Sequence, residues 1–170
     1  MSYDSNDCFL AQCNGKYLSV HWSAGGGGAF AVIPVESTGR LGADIPLFEG
    51  HTAQVLATAF SPFNDDLIAS AGEDGKILLW NIPQPGGSAL ELKPALTLPA
   101  HDRRIVDLKF NPVAENVLSS ASHDQTVKVW DLEKATAKAI LAGHVDSVLD
   151  QSWNWTGGRL ATSSRDKHLR

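Results

Sequence analysis

Residues 101–131 read HDRRIVDLKFNPVAENVLSSASHDQTVKVWD, and this stretch decides the fold. Within it, His101 is followed by Ser120, Asp124 and Trp130, with spacings of 23 residues from histidine to aspartate and 29 from histidine to tryptophan. The serine lies inside an apolar run, whereas the aspartate lies in a short polar run of turn-forming residues. Short apolar runs that are bounded by turn residues predict β-strands.

The pattern recurs on both sides of this stretch. The upstream copy keeps both spacings, 23 and 29 residues, and its members are His51, Ser70, Asp74 and Trp80. The downstream copy is one residue shorter between histidine and aspartate, and the sequence ends before its tryptophan position. Its members are His144, Thr162 and Asp166. The three histidines are 50 and 43 residues apart, and internal repeats of this length are typical of propeller blades.

Short runs bounded by turn residues predict strands along the whole chain. In the upstream and central copies they cover 55–60, 67–71, 77–80, 94–98, 105–110, 117–121, 126–130 and 137–142. Before His51, runs at 9–11, 17–22, 29–33 and 45–48 predict a diverged blade, with a turn at the glycine run 25–28. The predicted fold class is all-β, a partial propeller of about three four-stranded blades and the start of a fourth. We expect the blades to divide at 1–48, 49–98, 99–142 and 143–170.

Composition and charge restrict the function. The 170 residues include 14 Lys and Arg against 19 Asp and Glu, a net charge of −5 that disfavours broad nucleic-acid binding. Cys8 and Cys13 fit no disulfide framework or metal motif, and they predict free thiols in a reducing compartment. The sequence has no apolar run of about 18 residues, as a membrane span requires, and its acidic start is unlike a signal peptide. We expect a cytoplasmic protein without a metal or cofactor.

The recurring serine, histidine and aspartate also suggest a hydrolase triad. A triad needs one copy with an exposed serine at a strained turn, whereas here the set is repeated and each serine lies inside an apolar strand. The remaining histidines, His21, His123 and His168, occur singly and have no metal-ligand partner at a suitable spacing. We therefore predict a structural role for the recurring residues and no catalytic site.

The three copies resemble the WD-repeat family. Gly50-His51 and Gly143-His144 match the family's Gly-His start, and Trp130-Asp131 matches its Trp-Asp end. Trp80-Asn81 and Ala100-His101 each depart from the pattern at one position. In that family the four residues form a hydrogen-bonded chain within a blade, from the turn aspartate through histidine and serine to tryptophan. The resemblance therefore implies a structural tetrad in each copy, without the tryptophan in the downstream one.

Other stretches are more specific and resemble the coronins. They are Gly26–Pro34, Thr38-Gly39-Arg40, Ser61–Asp65 and Trp80-Asn81-Ile82-Pro83, the last followed by Pro85-Gly86-Gly87. Generic WD repeats do not require an Ile-Pro after the tryptophan. Coronins are actin-filament regulators built on a seven-bladed propeller, so the resemblance implies an N-terminal propeller fragment of such a protein. The sequence has no heptad run, so we expect the family's oligomerisation region to be absent from this chain.

The coronin resemblance implies a non-enzymatic function. The expected partners are filamentous actin and the actin-related nucleating complex, and the expected role is in actin-cytoskeleton organisation and filament turnover. Because actin is acidic, the pair Arg103 and Arg104 is a candidate contact, although a solvated turn also accounts for it. Arg40, in an exposed loop, is a further candidate contact whose role stays open. Two alternatives stay open: a generic WD-repeat scaffold subunit that mediates protein–protein assembly, and an enzyme carried on a propeller.

Overall fold

The computed structural model describes residues 10–24, 27–37, 39, 45, 47–83 and 92–170. The regular structure of these residues is β-strand, arranged in antiparallel sheets whose strands follow one another in chain order. The predicted fold class, an all-β partial propeller, is confirmed. Within the described residues no helix is long and apolar enough to cross a membrane.

The described strands form three four-stranded sheets and one strand pair. The first sheet consists of β1 (Ala11–Cys13), β2 (Tyr17–Ala24), β3 (Gly27–Pro34) and β4 (Leu47–His51). The second consists of β5 (Val55–Phe60), β6 (Leu67–Gly72), β7 (Lys76–Asn81) and β8 (Leu96–Pro99). The third consists of β9 (Ile105–Phe110), β10 (Val117–Ser122), β11 (Val127–Asp131) and β12 (Thr136–Leu141). The pair is β13 (Val148–Trp153) and β14 (Leu160–Ser164).

Side-chain caps end the first strand of the second and third sheets. The hydroxyl oxygen of Ser61 accepts hydrogen bonds from the backbone amides of Phe63 and Asn64, at 3.2 and 3.3 Å. The side-chain oxygen of Asn111 accepts from the two corresponding amides, at 3.0 and 2.8 Å. Because these oxygens take amide hydrogens that a neighbouring strand would otherwise use, the chain turns at the same point in both copies.

The glycine turn predicted at 25–28 is partly wrong. Gly27 and Gly28 belong to β3, where they pair with Ala24 and Ser23 of β2. A β-carbon at Gly28 would overlap the carbonyl oxygen of Ala53, so this strand position requires a residue without a side chain. The rest of the run, residues 25 and 26, lies outside the described residues. The predicted division at 1–48, 49–98, 99–142 and 143–170 stays a prediction.

The apolar core lies between successive sheets. Between the first and second sheets, the rings of Phe30 and Phe48 stack with centroids 4.9 Å apart, and Trp80 meets them edge-on at 5.8 and 5.5 Å. The cluster between the second and third sheets is larger and mainly aliphatic. Its buried members are Ala57, Ala69, Ala71, Ile77, Leu79, Leu98, Ala100, Ile105, Leu108, Leu118, Trp130 and Leu132. Since burial of one large apolar side chain stabilises by about 1.5–3 kcal/mol, these layers hold each sheet to the next.

Candidate functional site

The upstream set of recurring residues is joined by hydrogen bonds. His51 places its Nδ1 3.0 Å from both carboxylate oxygens of Asp74, and its Nε2 is 2.8 Å from the hydroxyl oxygen of Ser70. The indole nitrogen of Trp80 donates to the same hydroxyl oxygen at 2.9 Å. Because a carboxylate only accepts, the hydrogen of the neutral imidazole lies on Nδ1, and the serine hydroxyl donates to Nε2.

The central set joins the same four residue types, with shorter distances at the histidine. His101 Nδ1 lies 2.7 Å from Asp124, its Nε2 lies 2.7 Å from the hydroxyl of Ser120, and Trp130 donates to that hydroxyl at 2.9 Å. Thr126 adds a hydroxyl hydrogen bond to Asp124 at 2.6 Å. The buried polar atoms of this set therefore satisfy one another, as a network in a nearly dry interior requires.

The downstream set contains the first three members. His144 Nδ1 lies 2.9 Å from Asp166, and its Nε2 lies 2.9 Å from the hydroxyl oxygen of Thr162. The backbone amide of Val145 donates to the same carboxylate at 3.1 Å, as the amide of Thr52 does to Asp74. Threonine therefore occupies the serine position with the same contact to histidine.

The histidine of the upstream set belongs to the sheet before the one that holds its serine and tryptophan. His51 is the last residue of β4 and pairs with Gly28 of β3, whereas Ser70 and Trp80 lie in β6 and β7 of the second sheet. The expectation that this tetrad lies within one blade is therefore wrong at the histidine. The physical reason is that the histidine precedes the loop that leads into the first strand of the next sheet, so its side chain joins two neighbouring sheets.

Each aspartate also shapes the turn in which it lies. One carboxylate oxygen accepts from the backbone amide two residues further on, at 3.2 Å for Asp74, 3.0 Å for Asp124 and 2.8 Å for Asp166. The intervening residue has a positive φ in all three turns: Gly75, 68°; Gln125, 73°; Lys167, 67°. This is the geometry of a turn in which a short acidic side chain replaces a backbone acceptor.

Electrostatics favour the ionised form of the tetrad aspartates and the neutral form of His101. Burial alone would raise the pKa of Asp74, but hydrogen bonds from His51 and two backbone amides hold its pKa below the usual value. The pKa of Asp124 is likewise lowered, since its bonds to Thr126 and His101 outweigh burial. Burial lowers the pKa of His101, and the nearby Asp124 offsets this only in part.

Packing against the second sheet explains why the residue before His51 is a glycine. A β-carbon at Gly50 would lie 2.8 Å from the edge of the Trp80 ring and 3.1 Å from a methyl group of Leu78. The corresponding residue of the central copy is Ala100, which is buried in the cluster between the second and third sheets. The departure from Gly-His at this copy is therefore accommodated by a different local packing.

The geometry of the serines differs from that of a hydrolase nucleophile. Ser70 and Ser120 are fully buried, and each hydroxyl already contacts an imidazole and an indole nitrogen. A catalytic serine must instead reach a substrate carbonyl. Among the described residues, no group of three or more His, Cys, Asp and Glu side chains is arranged to hold a metal ion.

The arginine pair lies beside the tetrad turns. Arg103 and Arg104 are exposed in the loop between β8 and β9, and Arg104 Nε donates to His123 Nδ1 in the β10–β11 turn at 3.0 Å. Arg103 has no side-chain hydrogen bond or ion pair to any residue that the structure describes. The hydroxyl of Ser122 donates to the carbonyl oxygens of both arginines, at 3.3 and 3.0 Å, which holds the loop backbone. Arg40, the third candidate contact, lies outside the described residues.

The single histidines are not brought together. His168 is exposed and contacts the carbonyl oxygen of Asp166 at 2.9 Å. His21, on β2, has both ring nitrogens buried, without a hydrogen-bond partner among the described residues, and burial lowers its pKa to about 4. Sequence reasoning missed Lys128, whose ammonium donates to the carbonyl oxygen of Ala100 at 2.6 Å. The sequence feature that could have indicated this contact is the position of Lys128, two residues before the tetrad tryptophan Trp130.

Comparison with known proteins now identifies the class. The model of the WD domain, G-beta repeat, matches residues 42–81, 92–131 and 136–170, and a domain of unknown function, DUF1899, matches residues 1–40. A solved WD40 domain of a Toxoplasma gondii coronin superposes on 99% of the chain with a TM-score of 0.90 and 30% identity, and the chain covers 43% of that structure. This chain belongs to the WD-repeat family.

Within that family the chain is related to the coronins. It is 46% identical to a coronin-like protein of Saccharomyces cerevisiae, 43% to one of Schizosaccharomyces pombe and 45% to coronin-A of Dictyostelium discoideum. Each match covers 99% of the chain. The chain spans 27%, 28% and 37% of the length of those relatives. The predicted relationship to coronins is confirmed.

Proposed function

We propose that this chain is part of an actin-filament-binding protein that acts without catalysis. The observation that carries the proposal is the identity of 43% to 46% to coronins along 99% of the chain. In this proposal the protein works in the cytoplasm, on the actin cytoskeleton, where it influences filament organisation and turnover. Filamentous actin is the main partner, and the actin-related nucleating complex is the second.

The tetrads support a binding function over a catalytic one. Their serine hydroxyls are buried and engaged, so their contribution is to stability. Each charge-assisted hydrogen bond in such a network stabilises by about 1.5–3 kcal/mol. We propose that the tetrads keep the loops between the sheets rigid, so that an exposed surface is presented with little ordering cost on binding.

The loop of Arg103 and Arg104 is the proposed contact surface. Two adjacent exposed cations complement an acidic filament, and one of them, Arg103, has no side-chain partner among the described residues. Their backbone is held by Ser122 and by the amide of His123, which donates to the carbonyl oxygen of Arg104 at 3.1 Å. Arg40 stays a further proposed contact.

Co-sedimentation with actin filaments tests this proposal. The chain and the double variant Arg103→Glu/Arg104→Glu are compared with a matched control, Lys134→Glu/Lys138→Glu, whose lysines are exposed near the outer strand β12. Circular dichroism is used first to check that all three proteins are folded. We expect saturable pelleting that falls several-fold in the arginine variant and persists in the lysine control, since exposed charge pairs are worth about 0.2–1 kcal/mol each.

Each outcome has a defined meaning. Equal loss in both variants would indicate a general charge effect and would contradict the proposed contact surface. No pelleting by a folded chain would contradict actin binding by these residues and favour the alternative of a WD-repeat scaffold subunit for protein–protein assembly.

A further inference from the structure

A buried polar contact joins the third sheet to the strand pair that follows it. Asp107 of β9 and Gln151 of β13 are 5% and 2% exposed. At the corresponding contact between the second and third sheets, the residues are Ala57 and Leu108, both in the apolar cluster. The contact between β9 and β13 therefore replaces an apolar pair with two polar side chains. We call it the Asp107–Gln151 joint.

The orientation of the glutamine amide in this joint is determined by its partners. Gln151 Nε2 donates to the backbone carbonyl oxygens of Asp107, at 3.2 Å, and Ser119, at 3.1 Å. Because both partners only accept, the amide nitrogen must point to them. The amide oxygen Oε1 is left buried, and no described residue gives it a hydrogen bond.

The carboxyl group of Asp107 has the same deficiency. Its Oδ1 lies 3.4 Å from the ammonium of Lys109, whereas its Oδ2 is buried without a hydrogen-bond partner in the part of the chain that the structure describes. The two unpaired acceptors belong to residues that are in contact, because Gln151 Nε2 reaches the backbone carbonyl oxygen of Asp107 at 3.2 Å. Each of them needs a donor, since an unpaired buried polar group costs free energy. A carboxylate cannot supply that donor, but a protonated carboxyl group can.

Few charged groups surround this carboxyl. Lys109 lies on its own strand, and Asp150 lies on β13. The other strands packed near it, β5, β6, β10 and β14, carry no titratable side chain. Burial raises the pKa of Asp107 to about 7, Asp150 adds to the rise, and Lys109 opposes it.

We propose that the Asp107–Gln151 joint is a proton-controlled contact. When Asp107 binds a proton, its carboxyl hydrogen supplies the donor that the glutamine oxygen lacks. When Asp107 releases this proton to solvent, the joint loosens. The step is a single protonation equilibrium and needs no other reactant. The proposal is independent of actin binding, because it concerns how β13 and β14 dock on the third sheet.

The direction of the effect follows from linkage. An aspartate in the unfolded or undocked chain has an ordinary pKa of about 3.9. Between that value and about 7, the docked state binds more protons than the undocked state. Docking is therefore strongest at acidic pH, weakens as the pH rises through this window, and is constant above it. Because one proton is involved, the docking equilibrium constant changes by at most about tenfold per pH unit.

Carboxyl-carbon NMR of the 170-residue chain tests the first half of the proposal without a substitution. We expect the side-chain carbon of Asp107 to titrate near neutral pH. Titration at the ordinary aspartate value would overturn the proposal.

Native-state hydrogen exchange tests the second half. The opening constant of the β13 amides, corrected for the intrinsic exchange rate, is compared between pH 5.5 and pH 8 in the wild type, in Asp107→Asn and in the control Asp150→Asn. In the wild type we expect opening to increase at least about fivefold with pH. Asp107→Asn, which always carries amide donors, should lose this dependence, whereas Asp150→Asn should keep it. The same pH dependence in the wild type and in Asp107→Asn would overturn the proposal.

Discussion

At the scale of single residues, the tetrad aspartate has two separate tasks. One carboxylate oxygen of Asp124 fixes the tautomer of His101, and the other accepts the amide and hydroxyl hydrogens of Thr126 in the turn. The requirement for an aspartate at this position is visible in the sequence, because its spacing of 23 residues from the histidine recurs in the upstream copy and its turn is formed by adjacent residues. The contribution of Thr126 was not predicted, because a hydroxyl in a turn has many possible partners.

Replacement of Asp124 by asparagine should make stability depend differently on pH. The pKa of Asp124 is lower in the folded chain than in the unfolded chain, so its contribution is complete above the unfolded pKa and is lost as the pH falls through the folded pKa. We expect Asp124→Asn to lower the free energy of unfolding at pH 7 by about 1.5–3 kcal/mol, the range for a charged hydrogen bond. Urea unfolding at a series of pH values measures this loss.

The difference between wild type and variant should shrink below about pH 4, where the unfolded aspartate is also protonated. Glu133→Gln, which removes an exposed carboxylate near β12, is the matched control and should change the free energy by less than about 0.5 kcal/mol. A wild-type advantage that is equally large at pH 7 and pH 3 would contradict the assignment of the charge to this network.

At the scale of strands and turns, neighbouring sheets are joined at both ends of their first strands. On the side opposite the tetrads, Asn111 after β9 donates from Nδ2 to the carbonyl oxygen of Gly157 in the β13–β14 turn at 2.8 Å. Gly157 has a φ of 67°, and a β-carbon there would overlap the side-chain oxygen of Asn111. Only glycine meets both requirements without strain.

Substitution at this turn should separate the two adjacent glycines. Gly157→Ala should lower the free energy of unfolding by at least about 1–2 kcal/mol, the cost of a left-handed alanine, and more if Asn111 is displaced. Gly158→Ala is the control, because the nearest atom to its β-carbon would be the Thr156 hydroxyl at 3.8 Å. Thermal unfolding of both variants gives the comparison, and equal midpoints would show that the turn is not confined by Asn111.

At the scale of the whole molecule, the apolar layers between sheets are unequal. The layer between the third sheet and β13–β14 contains three buried apolar residues, Ala121, Val127 and Val148. The two preceding layers are larger, and one of them holds the stacked aromatic rings. Cooperative units with less buried apolar surface open more easily.

Hydrogen exchange should therefore proceed from one end of the described chain. We expect the amides of β13 and β14 to exchange before those of β6 and β7, whose sheet lies between the two larger layers. Mass spectrometry of peptides measures the order of exchange. Each factor of ten in the opening constant corresponds to about 1.4 kcal/mol of opening free energy. Equal protection across all four sheets would mean that the chain opens as one unit and would contradict this order.

The sequence by itself determined the features that are local and repeated. The period, the four recurring residue types and most strand positions could be predicted because each depends on neighbours within one copy, such as the turn that Asp74 makes with Lys76. The role of Trp80 was implied by the family resemblance, and the structure gives its contact to Ser70. These are short-range relations that fixed spacing preserves.

Only the tertiary structure decided which faces of the sheets meet. The register shifts near the start of β5, β9 and β13 place one extra residue on the strand. Because side chains alternate along a strand, a shift of one residue exchanges the two faces, so the sequence alone could not place Asp107 against β13. Its contact with Gln151 joins residues 44 positions apart and breaks the repeat, since the matching residues in the previous layer are apolar. A repeat predicts what its copies share, whereas packing between copies determines where they differ.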